Sequence, residues 1–365
     1  MKVAQLALDD YSNYGNFLQK YALHTTLKKF ADDVEFFWYK ENSFWVETGK
    51  IPSNNQRFLD SHSLLDNKRW ILYEAVRTTK IKEFSERYIN TRFNLPYIED
   101  VADEYDFFVL GSDQVWAPNN WMPFNIKFLP FVPREKKIAY AASIATPILP
   151  DQYKNFFRQG ISSFAHVSVR EEGAVKIIAE LGLKPPLLVL DPVLLLTADD
   201  WLKIARPPSW FNEKYQRGYI FTYYLRKMPP PEIKSIAAEL NLPVINALDY
   251  ENFRHYAIGP EEFLYLIANA TLIYTNSFHG VAFSVLFKRP FINREYDDNQ
   301  SKSMSLRIPG FLKMFKLESR IALPQNDYKI DSPLEIDFST RDKILPQERL
   351  KALNFLVTSL NSKRG

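Results

Sequence analysis

Cysteine is absent from this 365-residue chain. No disulfide framework and no thiolate chemistry can form, which favours a reducing compartment. Glycine is scarce: there are 11, and no two lie closer than nine positions. That spacing excludes the G-x-G-x-x-G dinucleotide fingerprint and the G-x-x-x-x-G-K-[ST] phosphate loop, which need paired glycines for close backbone approach. The 5 histidines stand at 24, 62, 166, 255 and 279, so no short-spaced pair can grip zinc. Asp-x-Asp is missing, which removes the usual metal clamp of one large class of nucleotide-sugar transferases, and there is no G-x-S-x-G elbow. The chemistry is expected to need no metal, no redox cofactor and no covalent cysteine.

Long apolar runs are lacking as well. LLVLDPVLLL (187–196) is interrupted by Asp191 and Pro192, against the ~20 apolar residues a spanning helix needs. The opening MKVAQLALDDY has six residues between Lys2 and Asp9, too few for a leader-peptide core. A cytoplasmic protein is expected, with room for peripheral contact at the inner face of the cell membrane. Neither sign of charge dominates: 46 Lys and Arg stand against 43 Asp and Glu, a net +3. That balance does not imply nucleic acid, but it suits anionic small substrates or an acidic membrane surface.

What is present reads as an ordinary globular chain, 46% hydrophobic and 24% charged, long enough for about two domains. Aromatic clusters at FFWYKENSFW (36–45) and VWAPNNW (115–121) could stack on sugar rings, although core is the expected role for most of them.

From Gly218 onward, strands alternate with short helices. GYIFTYYL, LPVINA, TLIYT and RPFIN read as strands, and PEIKSIAAEL, GPEEFLYLIANA and HGVAFSVLFK as helices. The first half alternates more loosely, with strands at KVAQLAL, DVEFFWY, DFFVLG, KKIAYAAS and FAHVSVR, and helices at NFLQKYALHTTLKKF and near 151–160 and 172–181. Residues 48–100 read as polar, helical and long-looped. PQERLKALNFLVTSL (346–360) reads as a closing helix. The fold class is α/β, with two Rossmann-like domains built on parallel sheets. They divide near the proline-rich 195–217 segment into 1–195 and 196–335, with 336–365 as the closing helix.

In parallel α/β sheets ligands bind beyond the carboxyl ends of the strands, so the strand-to-helix junctions are the candidate sites. In TNSFHG (275–280), Asn276 and Ser277 suit helix capping, and amides from Gly280 onward could receive an anion. His279 could bind a phosphate or pass a proton, or simply pack. In FAHVSVREEG (164–173), Arg170 falls where strand gives way to helix. Its guanidinium suits a phosphate or carboxylate, or an ordinary salt bridge to Glu171 or Glu172. Further junctions carry Asn13, Gly15 and Asn16; Gly111, Ser112, Asp113 and Gln114; and Ser143. Asp113 could be a base toward a sugar hydroxyl or could close an Asx turn. If the sheets are parallel, these junctions converge on one crevice.

The motifs NYGNFLQKYAL, GSDQVW, IAYAASIA, SVREEGA, LVLDPVLLL and TNSFHG, in this order and followed by Arg307, run through almost the whole chain. Together they resemble the polysaccharide pyruvyl transferase family. The resemblance implies a GT-B-like fold with the active site in the interdomain cleft, 1–195 forming the acceptor side and 196–335 the donor side. It implies transfer of the enolpyruvyl unit of phosphoenolpyruvate to two hydroxyls of a hexose, in an oligosaccharide or lipid-linked glycan. A cyclic pyruvate ketal forms and phosphate leaves. The family's junction Arg maps onto Arg170 and its motif His onto His279; by their place in the chain, Asn13, Gly15, Asn16, Ser112, Gln114, Ser143, Glu171, Asn276, Ser277, Gly280 and Arg307 are the expected binding residues. Some members carry Arg-x-His where this chain reads Ser277-Phe278-His279, and Arg307, Lys288 or Arg289 are the candidates to supply the missing cation. A nucleotide-sugar glycosyltransferase on the same fold and a non-catalytic carbohydrate-binding relative are the competing readings.

Overall fold

The computed structural model describes residues 1–8, 13–39, 64–95, 98–118, 122, 124–225, 228–295, 307–323 and 330–362. In the first half the strands are β1 (Lys2–Leu6), β2 (Asp33–Tyr39), β3 (Thr91–Leu95), β4 (Phe107–Leu110), β5 (Lys137–Ala142), β6 (His166–Val169) and β7 (Leu187–Leu188). They form one sheet in the order β3-β2-β1-β4-β5-β6-β7, and every pairing is parallel. β4 and β5 are buried along their whole length, as expected of strands covered by helices on both faces. A second parallel sheet contains β8 (Ile220–Tyr223), β9 (Val244–Ala247), β10 (Leu272–Thr275) and β11 (Phe291–Asn293), in the order β11-β10-β8-β9.

Each sheet reverses its strand order once, between β1 and β4 in the first and between β8 and β10 in the second. A reversal splays the following helices to opposite faces and leaves a crevice at the strand ends. Helix α1 (Tyr14–Leu27) follows β1. Of the remaining helices of eight or more residues, α2 (Leu64–Tyr88), α3 (Asp151–Ser162), α4 (Glu172–Glu180), α5 (Glu232–Leu240) and α6 (Pro260–Asn269) precede β10. Helix α7 (Phe278–Phe287) follows β10, and α8 (Arg307–Met314) and α9 (Ser339–Asn361) complete the chain. Helices α1 and α7 therefore both begin at a reversal point.

One apolar cluster joins the halves: Tyr14, Phe17 and Leu18 of α1 pack with Phe263 of α6 and Val281, Ala282 and Phe283 of α7. The Tyr14 ring stacks on Phe263 at 4.9 Å, and its hydroxyl donates to the Ile258 carbonyl at 2.8 Å. Helix α2, in the stretch read as polar, helical and long-looped, is a second tie. Lys80 pairs with Glu262 at 2.8 Å and Arg87 with Glu261 at 2.9 Å, and the Trp70 indole donates to the Tyr256 hydroxyl at 3.0 Å. Helix α9 lays Ala352, Leu356 and Leu360 on the first sheet. Its Arg341 donates to the carbonyls of Val285 and Leu286, and its Arg349 to those of Leu194 and Leu196.

Two details depart from the sequence reading. The closing helix starts at Ser339, not 346, and carries Pro346 inside it; cross-domain packing holds a turn that proline alone would disfavour. β3 and the two-residue β7 were not anticipated. Of the aromatic clusters, Phe36, Phe37, Trp38, Val115 and Trp116 are core, and residues 40–45 and 119–121 lie outside the described residues. Among the described residues, no helix is long and apolar enough to cross a membrane.

Candidate active site

β4 ends in Gly111, whose φ of 137° and whose approach to the Tyr140 carbonyl, 2.0 Å from where a Cβ would sit, leave room for no other residue. Asp113 follows in the left-handed region (φ 66°), which Asp tolerates better than most residues. This turn brings its carboxylate back over the sheet to meet Arg170, at the end of β6. The Arg170 side chain is wholly enclosed, and its three nitrogens face three carboxylates. Nη2 donates to Asp113 Oδ1 at 2.8 Å, Nη1 donates to Asp191 Oδ2, and Nε lies 3.8 Å from Glu171 Oε2.

The second half contributes His279 and Arg307. The Ser277 hydroxyl caps α7 by accepting from the Gly280 amide at 3.3 Å, so the next turn starts with Phe278 and His279 aimed into the crevice. His279 Nε2 lies 3.6 Å from Asp191 Oδ2. Its other edge lies against Gly15, where a built Cβ would fall 2.1 Å from Nδ1 and 2.8 Å from the His279 Cβ. Only glycine at the start of α1 leaves space for this ring. Arg307, at the start of α8, comes within 3.8 Å of Asp113 Oδ1. The Phe278 ring packs near both guanidiniums, its centroid 5.0 Å from Arg170 Cζ and 5.5 Å from Arg307 Cζ.

Electrostatics make this cluster permanently ionic. Burial pushes the Asp113 carboxyl up, but Arg170, then His279 and Arg307, outweigh it and hold it below its ordinary value. Asp191 is also pushed up by burial and is held well below the carboxylate range by Arg170, with His279 and the Val193 amide adding to it. Arg307 is lowered by burial and then by the neighbouring charge of Arg170. Burial lowers Arg170 too, but Asp113, Asp191 and Glu171 outweigh it, so Arg307 is the cation that an added anion would relieve.

Several candidates read from the sequence meet here. Asn16 Nδ2 donates to Asp113 Oδ2 at 3.3 Å, and the Ser143 amide donates to the Asp113 carbonyl at 2.9 Å. Ser112 Oγ donates to the Ala141 carbonyl at 2.9 Å and lies 3.5 Å from Asp191 Oδ2. Glu171 Oε1 accepts from the amides of Ile144 and Ala145 at 2.9 and 3.3 Å. Buried polar atoms without a hydrogen-bond partner gather at the same place: Asn16 Oδ1, Ser143 Oγ, Arg170 Nε, Glu171 Oε2 and His279 Nε2. Buried polar atoms are normally satisfied, so such a group marks where a ligand or water completes the set.

Other candidates do local work. Asn13 caps α1, its Oδ1 accepting from the Gly15 and Asn16 amides and from the Tyr223 hydroxyl. Asn276 pins Leu225 through both backbone groups. Gly280 spends its amide on Ser277, and the Gln114 carbonyl closes a turn with the Ala117 amide. Of the three candidate replacement cations, Arg307 is in the cluster. Lys288 pairs with Asp342 at the surface, and Arg289 follows it at the far end of α7. Asp191 was not among the sequence candidates. Its only signal was a charge inside the apolar run LLVLDPVLLL, where an ionised group must find a partner.

A family model described as polysaccharide pyruvyl transferase matches residues 13–298. No curated protein matches the chain. Among solved structures, the Anabaena protein Alr3699/HepE in complex with UDP and glucose has a TM-score of 0.51 at 11% identity, over 99% of this chain and 100% of that one. A UDP-GlcNAc 2-epimerase from Neisseria meningitidis, bound to UDP-GlcNAc, has a TM-score of 0.41 at 11% identity, over 96% of this chain and 100% of that one. The likeness to HepE is one of fold, the two-sheet GT-B arrangement.

Proposed function

Because the chain belongs to the polysaccharide pyruvyl transferase family, we propose that it moves the enolpyruvyl group of phosphoenolpyruvate onto two hydroxyls of a hexose, in a polysaccharide or its lipid-linked precursor. The observation that carries the reading is the meeting of Arg170, Arg307 and His279 across the two halves, beside unsatisfied buried polar atoms. The donor bears a phosphate and a carboxylate. Arg170 and Arg307, both near Phe278, supply the fixed positive charge that receives them.

In the proposed mechanism His279 gives a proton to the methylene carbon, making it methyl and leaving positive charge on the adjacent carbon. One sugar hydroxyl bonds to that carbon, the bond to the phosphate oxygen breaks, and the second hydroxyl closes the ring. Of the two hydroxyl protons, one restores His279 and the other leaves on phosphate, so atoms and charge balance. Asp113 is a weak base because of its neighbours. Its role is to hold the attacking hydroxyl and, once the new C–O bond has made that oxygen strongly acidic, to relay its proton to the departing phosphate. The reaction uses no cofactor beyond the donor. With a lipid-linked acceptor, the protein would work in the cytoplasm against the inner face of the membrane.

Incubation with phosphoenolpyruvate and an acceptor oligosaccharide tests this. Phosphate release with a matching mass gain on the sugar is expected. Thermal stabilisation by UDP or GDP with none by phosphoenolpyruvate would overturn the reading in favour of a nucleotide-sugar enzyme. Glycan binding without phosphate release from any donor would mean a non-catalytic relative.

A further inference from the structure

The carboxylate that organises the cluster is Asp191. Its chain position is set by Pro192 and by its own Oδ1, which accepts from the Val193 amide at 3.0 Å and caps the short turn after β7. That leaves Oδ2 with a fixed direction. Oδ2 accepts from Arg170 Nη1 and faces His279 Nε2 at 3.6 Å. Arg170 and His279 come from different halves, and this one oxygen is where they are joined.

We propose that Asp191 is the positioning residue of the site: it fixes the orientation of His279, keeps the proton on Nε2, and stabilises the imidazolium that must exist before the proton is given away. The inference rests on the proposed transferase reading, in which His279 is the acid. Geometry supports it from both edges of the ring. Nδ1 is packed against Gly15, and Nε2 finds no acceptor among the described residues nearer than Asp191. The charged groups about the ring are Asp191 and Asp113, which act on it directly, with Arg170, Glu171 and Arg307 around them. Arg170 keeps Asp113 and Glu171 when Asp191 is neutralised. The ring loses its nearest anion.

The test uses two independent readouts. In the unmodified protein without donor, nitrogen NMR of the neutral His279 ring should show the proton on Nε2; the Nδ1-protonated tautomer would overturn the proposal. In Asp191→Asn, kcat should fall by about 10²-fold, the consequence of a misplaced acid. The alkaline limb of the kcat–pH profile should move, because an opposite charge has left the ring. KM for phosphoenolpyruvate should not rise, since a carboxylate has been removed from an anion site. An unmoved alkaline limb, or a raised KM with unchanged kcat, would reduce Asp191 to a counterion of Arg170. Should Asp191→Asn fail to fold, the tautomer measurement decides alone. It needs no donor, so it stands or falls separately from the transferase reading, which fails if no acceptor yields phosphate.

Discussion

Two histidines lie near opposite ends of the same helix and show how a shared burial can serve different ends. His24, on the last turn of α1, is fully enclosed. Its Nδ1 donates to Gln5 Oε1 at 3.1 Å and its Nε2 accepts from the Asn90 amide at 3.3 Å. Both partners are uncharged, both ring nitrogens are used, and burial pushes the group down to about 4. His279 lies against the first turn of α1, with one edge on Gly15 and the other toward a carboxylate. The first ring is a strut that must stay neutral. The second is surrounded by ionised groups and keeps an unsatisfied nitrogen, which fits the proton exchange proposed for it. Burial alone does not separate a core histidine from a working one; the charge and saturation of its partners do.

The strongest way to break this contrast is to remove each ring in turn. His279→Ala should lower phosphate release by at least ~10²-fold, the usual contribution of a general acid, with a melting temperature close to the parent. Normal turnover in this variant would remove His279 from the mechanism. Gly15→Ala should approach the same loss without touching a titratable group. Its Cβ would meet the root of the His279 ring, and a shift of about 1 Å at a reacting group can cost 10²-fold. A crystal structure of Gly15→Ala with the ring undisturbed would sink that account.

His24 should speak through stability. Its folded value of about 4 lies below the reference of 6.5, so between those limits the unfolded chain binds more protons and stability rises with pH. Acidification through that window should remove about 3 kcal/mol through His24, and urea titrations of the parent and His24→Gln across it should show a shallower slope in the variant, the remainder coming from His255, which burial also pushes down to about 4. The smallest effect is expected at Ser277→Ala, which deletes the cap on α7 and should lower stability by about 1 kcal/mol in chemical denaturation.

Much of this contrast was legible before any coordinates. Parallel strands at KVAQL, FFVL and LIYT, and helices opening at Asn13 and Ser277, follow from apolar runs ended by capping residues. That logic also placed Arg170, Asp113 and His279 at strand ends. Asp191 escaped because it sits beyond a two-residue strand too short to carry a period. The contact of Gly15 with His279 escaped for another reason: it joins residues 264 positions apart across two sheets, and no local pattern encodes such a meeting. Nor could the reading choose among Lys288, Arg289 and Arg307, since the choice depends on which end of α7 faces the first sheet.

The proposed proton donor, His279, hangs from one half of the molecule, and Asp191 and Asp113 from the other. At 3.6 Å, imidazole and carboxylate are already at the edge of touching, so parting the jaws by a couple of ångströms would strip the acid of its support. In the proposed reading the acid would therefore be armed only while the two halves stand together, which would spare the donor from being squandered on water.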